Sequence, residues 1–274
     1  MSNVSQNTAV DPSRAVIRVH GDDAADFLQG LLTNDISKAS ADTGVYAALL
    51  TPQGKYLADM IVTRAVHDQF LIDVASAQAD GLVQRLSMYK LRAKVALERD
   101  PTLSVVVIWT EDGQPIAPSD GQIADPRDPR LGLRQVTQTP PAAPTDLASY
   151  HALRLGLAVP LSGVDLRPND SYLLENDFER LNGVDFKKGC YVGQEIVARM
   201  HHKTQLKKGL RQIKLQGVAE PGAELLKDGK NVGVLGSVEG ADALALLRLD
   251  RIGDGRLETH DGVQLIVSQP KENL

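Results

Sequence analysis

Residues 14–21, RAVIRVHG, alternate apolar and polar side chains around β-branched positions, the period of two expected of a half-buried strand. Asp22 or Asp23 is placed to cap a following helix, whose Ala24, Phe27, Leu28, Leu31 and Leu32 fall on one stripe of a 3.6-residue repeat. Three extended runs come next, GVYAALL, KYLADMIVTRAV and QFLIDVAS. TPQG and His67-Asp68 separate them, turns short enough to force neighbouring antiparallel strands. Ser76 is the expected cap of a second helix, with Ala79, Leu82, Val83, Leu86 and Tyr89 inward, and the strands KVALE and SVVVIW follow. Antiparallel strands with helices between them predict α+β layers, not a doubly wound parallel sheet.

Residues 111–130, EDGQPIAPSDGQIADPRDPR, are dense in Gly, Pro and Asp and are expected to be loop, as is TPPAAPT. Thr145 is then expected to cap the helix DLASYHALRLGL. After residue 207 the pattern changes to short strands joined by Asp-Gly and Gly-containing turns, which suits a small β-barrel or sandwich. There is no repeat at a fixed period and no low-complexity tract. The opening MSNVSQNTAVDPS is polar and expected to fray, with no signal peptide before residue 14.

Composition adds little until charge is mapped along the chain. The 274 residues carry a net −5, yet residues 187–214 hold eight Lys/Arg and one acid, so this segment is +7 and the remainder −12. An anionic ligand or partner is expected near that segment, while overall acidity disfavours RNA. A single cysteine cannot form an internal disulfide and points to a reducing, cytoplasmic setting. No apolar run is long enough for a membrane span, and a monomer is expected.

That cysteine, Cys190, lies in KGCYVGQE (residues 188–195), followed by IVARMHHKTQLKKGLR. The stretch is not a phosphate loop, since three residues and not four part its glycines and no Lys-Ser/Thr follows. Cys190 with His201 and His202 is an incomplete ligand set for zinc or an iron–sulfur cluster, so no metal is assigned. Lys187, Lys188 and a helix opening near Gly193 favour a reactive thiolate, but a packed thiol fits equally. Gly189 and Gly193 around Tyr191 predict positive φ or close approach by another group. Glu195 and Arg199 are spaced as a helix-surface ion pair.

KGCYVGQE with VARMHH after it resembles the signature of the YgfZ-type folate-binding proteins, relatives of the glycine-cleavage T-protein. FLQGLLTNDI (27–36), DPRDPRLGLR (125–134) and LLENDFERLNGVDF (173–186) support the likeness in the same order. The resemblance implies a ring of three subdomains: two ferredoxin-like α+β units with antiparallel sheets, and a C-terminal β-barrel. The expected divisions are residues 1–45 with 135–206, an insertion at 46–134, and 207–274. It also implies a central tetrahydrofolate site and a part in making or repairing iron–sulfur clusters, with assembly proteins or cluster-dependent enzymes, including tRNA-modifying ones, as partners.

Within that likeness Glu175 matches the acid that meets the pterin, Tyr191 is placed to pack on a ring face, and Arg199 is the favoured cation for the carboxylate tail, beside Gly189 and Gly193. Cys190 is expected to be essential and to stand at the mouth of the pocket. One departure weighs against aminomethyl transfer: GKYLADMIV has Ala58 where the T-proteins have the first of two acids, leaving Asp59. Three functions therefore compete: a folate-binding accessory factor of iron–sulfur metabolism, a folate-dependent aminomethyltransferase, and an interaction scaffold whose basic segment docks an acidic partner.

Overall fold

The computed structural model describes residues 6–66, 69–203 and 205–268. In chain order its first half runs β1 (Asn7–Val10), β2 (Arg14–His20), α1 (Ala24–Leu31), β3 (Val45–Leu50), β4 (Tyr56–Val66), β5 (Gln69–Ala75), α2 (Ser76–Lys90), β6 (Ala96–Arg99), β7 (Ser104–Trp109), β8 (Gln122–Ala124), β9 (Leu133–Thr137) and α3 (Ala148–Gly156). A long segment of turns leads to α4 (Gln194–Lys203). The strands β10 (Lys208–Gln216), β11 (Glu224–Lys227), β12 (Lys230–Glu239), β13 (Asp242–Arg248), β14 (Arg256–Thr259) and β15 (Gln264–Val267) complete it.

The strands form a five-stranded antiparallel sheet, β3-β4-β5-β2-β6, a four-stranded one, β1-β7-β9-β8, and a closed barrel, β10-β13-β12-β11-β14-β15. The α+β architecture with a C-terminal barrel is that expected from the sequence. Strand pairing, however, runs across the expected divisions at 45/46 and 134/135. β2 pairs with β5 and β6, and β1 with β7, so each sheet draws strands from both sides of those boundaries.

All six residues of β3 are buried, because this strand separates two cores. Val45, Ala47 and Leu49 face α1 and α2 with Leu28, Leu32 and Leu86. Tyr46, Ala48 and Leu50 face the opposite way, onto Trp109, Tyr150, Phe178 and Val197. A strand with one solvated face would leave every second residue polar; here both faces have a core, hence the unbroken apolar run. The barrel holds a third core around Ile213, Leu225, Leu235 and Leu265. Among the described residues no helix is long and apolar enough to cross a membrane.

Several local expectations are corrected. Asp23 precedes α1 without a side-chain cap; its Oδ2 instead accepts from Lys94 N at 2.7 Å. Ser76 begins α2 but caps nothing, its Oγ accepting from Arg99. α3 follows Leu147 without a side-chain cap at that position; Asp146 Oδ1, one residue earlier, accepts from Ala148 N at 2.6 Å, while Thr145 pairs with Thr8. The opening segment is not frayed at residues 7–10, which pair with β7. The supposed loop at 111–130 contains β8, and Pro129–Leu131 is a 3₁₀ turn. Local composition missed β8, since pairing with β9 supplies the order that propensity does not. The expected His67-Asp68 turn lies outside the described residues.

Candidate functional site around Cys190 and Glu175

The segment 183–194 carries little regular structure of its own, and three other parts of the chain hold it. Thr33 Oγ donates to Gly183 O at 2.7 Å, and Asp185 N donates to Thr33 O at 3.1 Å. Buried Asn34 donates from Nδ2 to Tyr46 O at 2.8 Å and to Asn182 O at 2.6 Å. Asp185 accepts from the backbone N of Lys187 and Lys188 at 2.7 and 3.2 Å, and from Lys38 Nζ at 2.6 Å. Lys188 does not join a basic rim. It turns inward and donates to the carbonyls of Gln29, Leu32 and Asn34 at 2.7, 2.5 and 3.0 Å. These lie at and just beyond the C-terminus of α1, where carbonyls lack helical partners and the helix dipole favours a cation. Burial lowers the Lys188 pKa to about 8.

Gly193, at φ +84°, opens α4, and a Cβ there would sit 2.6 Å from Thr51 O and 3.2 Å from Gly54 Cα. The TPQG turn thus packs directly on the signature, and the glycine is required both for its φ and for the close approach. Gly189 corrects the parallel expectation: its φ is not positive and a Cβ would meet nothing within 4 Å. Between them Cys190 is exposed and free. Tyr191 is half-buried against the second core, its pKa pushed up to about 12 by burial, with Lys188 Nζ 5.2 Å from the ring centroid.

The other expected site residues are dispersed. Glu175, in the 3₁₀ turn Leu174–Asn176, is half-buried; burial pushes its pKa up, opposed by Lys208 and Lys55. No hydrogen bond to its carboxylate forms among the described residues. Lys55 and Tyr56 bond to residues 169–172, which carries the Glu175 turn to the start of β4. Asp59 is 1% exposed, and its carboxylate accepts three hydroxyls: Tyr46 at 3.0 Å, Tyr56 at 2.6 Å and Ser162 at 2.5 Å. Arg199 is exposed on α4, paired with Glu195 at 2.9 Å.

Two hollows lie near these groups. One, of about 550 Å³, is lined by Tyr46, Asn182, Phe186 and Lys187, ending three residues before Cys190. The other, of about 560 Å³, lies between residues 167–170 and the barrel, with Lys208 on its wall. Cys190 lines neither, so the expected thiol at a pocket mouth is an exposed thiol on the adjoining loop.

Residues 11–108 match the GCVT N-terminal domain family and 207–272 the CAF17 C-terminal β-barrel domain family. The mitochondrial iron–sulfur cluster assembly factor IBA57 of Mus musculus is 35% identical, the match covering 87% of this chain and 76% of the relative. The Homo sapiens protein of the same name is 32% identical, over 93% and 81%. The chain belongs to the IBA57 family. The fold extends further: the glycine cleavage system aminomethyltransferase T of Bartonella henselae superposes with a TM-score of 0.71 at 16% identity, covering 97% of this chain and 85% of that one.

In this IBA57-family chain, the four segments singled out in the sequence meet at one place. Thr33 and Asn34 of the first hold the 182–188 stretch, Gly54 meets Gly193, and Asn182 Nδ2 donates to Pro126 O at 3.2 Å. The DPRDPRLGLR segment adds a buried network that sequence reasoning did not identify. Arg127 and Arg134 both reach Asp125, and Arg134 also bonds Asp73, which in turn holds Arg14. Burial opposes ionisation of Asp125 and Asp73, but the arginines outweigh it and hold both carboxyls below the usual range. Asp125 and Arg127, two apart, were visible in the sequence; Asp73, on a distant strand, was not.

Proposed function

We propose that this protein is a tetrahydrofolate-binding accessory factor of iron–sulfur cluster assembly, of the YgfZ-type within its family, acting through Cys190. Membership of the IBA57 family supports the cluster role. The observation that carries the folate reading is Glu175, a half-buried carboxylate with no donor bound among the described residues. A pterin presents a ring N–H beside an exocyclic amine, and a carboxylate accepts both through charged hydrogen bonds of roughly 1.5–3 kcal/mol each. Lys55 and Lys208 nearby favour the ionised form that accepts. Cys190 is accessible to a client or assembly partner, as a sulfur that handles cluster chemistry must be.

Aminomethyl transfer is the weaker reading. Asp59, the remaining acid of the pair, spends its oxygens on three hydroxyls and meets almost no solvent.

Two measurements test the proposal. Titration with tetrahydrofolate should show Glu175→Ala weakened by about tenfold or more; unchanged affinity removes Glu175 from the site. Replacing Cys190 by Ser should leave folate affinity intact while lowering the activity of cluster-dependent enzymes in cells under oxidative stress. Full activity there removes the thiol from the mechanism.

A further inference from the structure

β4 with β5, and β8 with β9, turn alternate side chains into the space between the two antiparallel sheets. Ile61 stands opposite Asp73 and Thr63 opposite Leu71 in the first pair, and Ile123 opposite Arg134 in the second, with Val136 two residues further along β9. At one end Gly44 lets the sheets close, since a Cβ there would stand 2.4 Å from Ile123 Cδ1 and 3.1 Å from Ile61 Cγ2. Beyond it they part around a cavity of about 210 Å³, walled by Ile61, Leu71, Ile123 and Val136. It shares no lining residue with the hollows near Cys190 and Glu175. Protein interiors close-pack, so an aliphatic space of this size stands out as unfilled.

Asp73 and Arg134 form the buried polar side of this cavity. They belong to the network with Arg14, Arg127 and Asp125, whose side chains are at most 8% exposed. Three arginines meet two ionised aspartates, leaving a charge of +1, and no further acid joins the network among the described residues. A guanidinium has five N–H groups. In Arg134, Nε and Nη2 bond Asp73, and Nη1 divides between Asp125 and Tyr150, so one N–H of Nη2 has no acceptor among the described residues. The Thr63 hydroxyl, also on the cavity wall, has no partner among them either.

We infer that this cavity binds the anion of a short aliphatic carboxylic acid, its carboxylate at Arg134 and Thr63 and its chain along the apolar walls. A buried, uncompensated positive charge attracts an anion and repels an amine. Two open donors suit the two oxygens of a carboxylate. Aliphatic walls on both sheets take up methylenes, and they cannot replace the water around a bare inorganic anion. An apolar cavity of about 150 Å³ accommodates benzene, so one of about 210 Å³ accommodates about eight non-hydrogen atoms, the size of hexanoate.

The full-length, isotopically labelled protein is titrated with hexanoate while its backbone amide resonances are followed by NMR. Shifts should centre on residues 61–65, 71–73, 121–123 and 134–136. Affinity should rise from acetate to hexanoate. Hexanamide, alike in shape but uncharged, should bind about tenfold or more weakly, and hexylamine not at all. Thr63→Val keeps the side chain's shape without its hydroxyl and should weaken hexanoate by about tenfold. Val136→Phe fills the cavity and should abolish binding; if that variant does not fold, Thr63→Val and the amide still decide. Glu175→Ala should bind hexanoate as wild type does, and tetrahydrofolate should not displace it, so failure of the folate reading leaves this one intact. No binding of hexanoate, shifts centred elsewhere, hexanamide binding equally well, or full affinity in Thr63→Val overturns the assignment.

Discussion

At Gly193 a single hydrogen in place of a methyl decides whether two segments can touch. A side chain there would have to adopt φ +84° and displace Thr51 O, 2.6 Å away. Gly193→Ala should therefore destabilise the protein by about 1–3 kcal/mol in urea unfolding. Gly189→Ala, facing open space, should lie within about 0.5 kcal/mol of wild type. Equal losses would mean that the two glycines serve alike, as their symmetric placement around Tyr191 in the sequence implied. The sequence shows that both positions are glycine; only the neighbouring TPQG turn distinguishes them. Cys190 is similar: sequence left a packed and a reactive thiol open, and exposure excludes the packed one.

Among the elements, the link between the end of α1 and the signature loop is a titratable one. Lys188 binds three carbonyls of residues 29–34 and has a pKa of about 8 against an ordinary 10.5. Below pH 8 both folded and unfolded chains are protonated there, and the depressed pKa counts against the fold in full. Between about 8 and 10.5 the unfolded chain holds the proton that the folded chain releases, so this residue's contribution to stability rises with pH. The stability difference between wild type and Lys188→Met should therefore shift in favour of wild type across that window. A pH-independent difference in chemical denaturation at pH 7, 8, 9 and 10 would contradict a lowered pKa. The run of positive charge around Lys188 reads, along the chain, as one basic face. In the fold its members part: Lys188 points inward, Arg199 pairs with Glu195, and Lys208 faces the barrel cleft.

At the scale of the molecule, the barrel is joined to the body through Asp165. Its carboxylate accepts Ser237 N at 2.7 Å and Ser237 Oγ at 2.5 Å in the barrel, and Leu161 N at 2.7 Å in the body. Buried Arg154 lies 3.6 Å away, with its Nε unpartnered among the described residues. Gly236 leaves room for this contact, since a Cβ would fall 1.9 Å from Asp165 Oδ1. Asp165→Ala strands a buried guanidinium and should cost about 3–5 kcal/mol. It should also make the chain ahead of Lys208 more sensitive to limited proteolysis. Ser237→Ala, losing one donor, should cost about 1 kcal/mol. If the two substitutions cost the same, the ion pair with Arg154 contributes nothing at this joint.

Periodicity along the chain determined the layers: strands and helices whose apolar stripes were regular, the change to all-β after residue 207, and a cysteine signature specific enough to indicate a family. Those are local properties, set by the repeat of 2.0 or 3.6 residues and by turn chemistry. Tertiary structure decided what local patterns do not encode. It chose which strands pair across long separations, so that β1 joins β7 and a Gly-Pro-Asp-rich stretch yields β8. It also sorted one cluster of charge into an inward lysine, a surface pair and a cleft wall. A side chain's environment depends on residues a hundred or more positions away, and no window of sequence contains them.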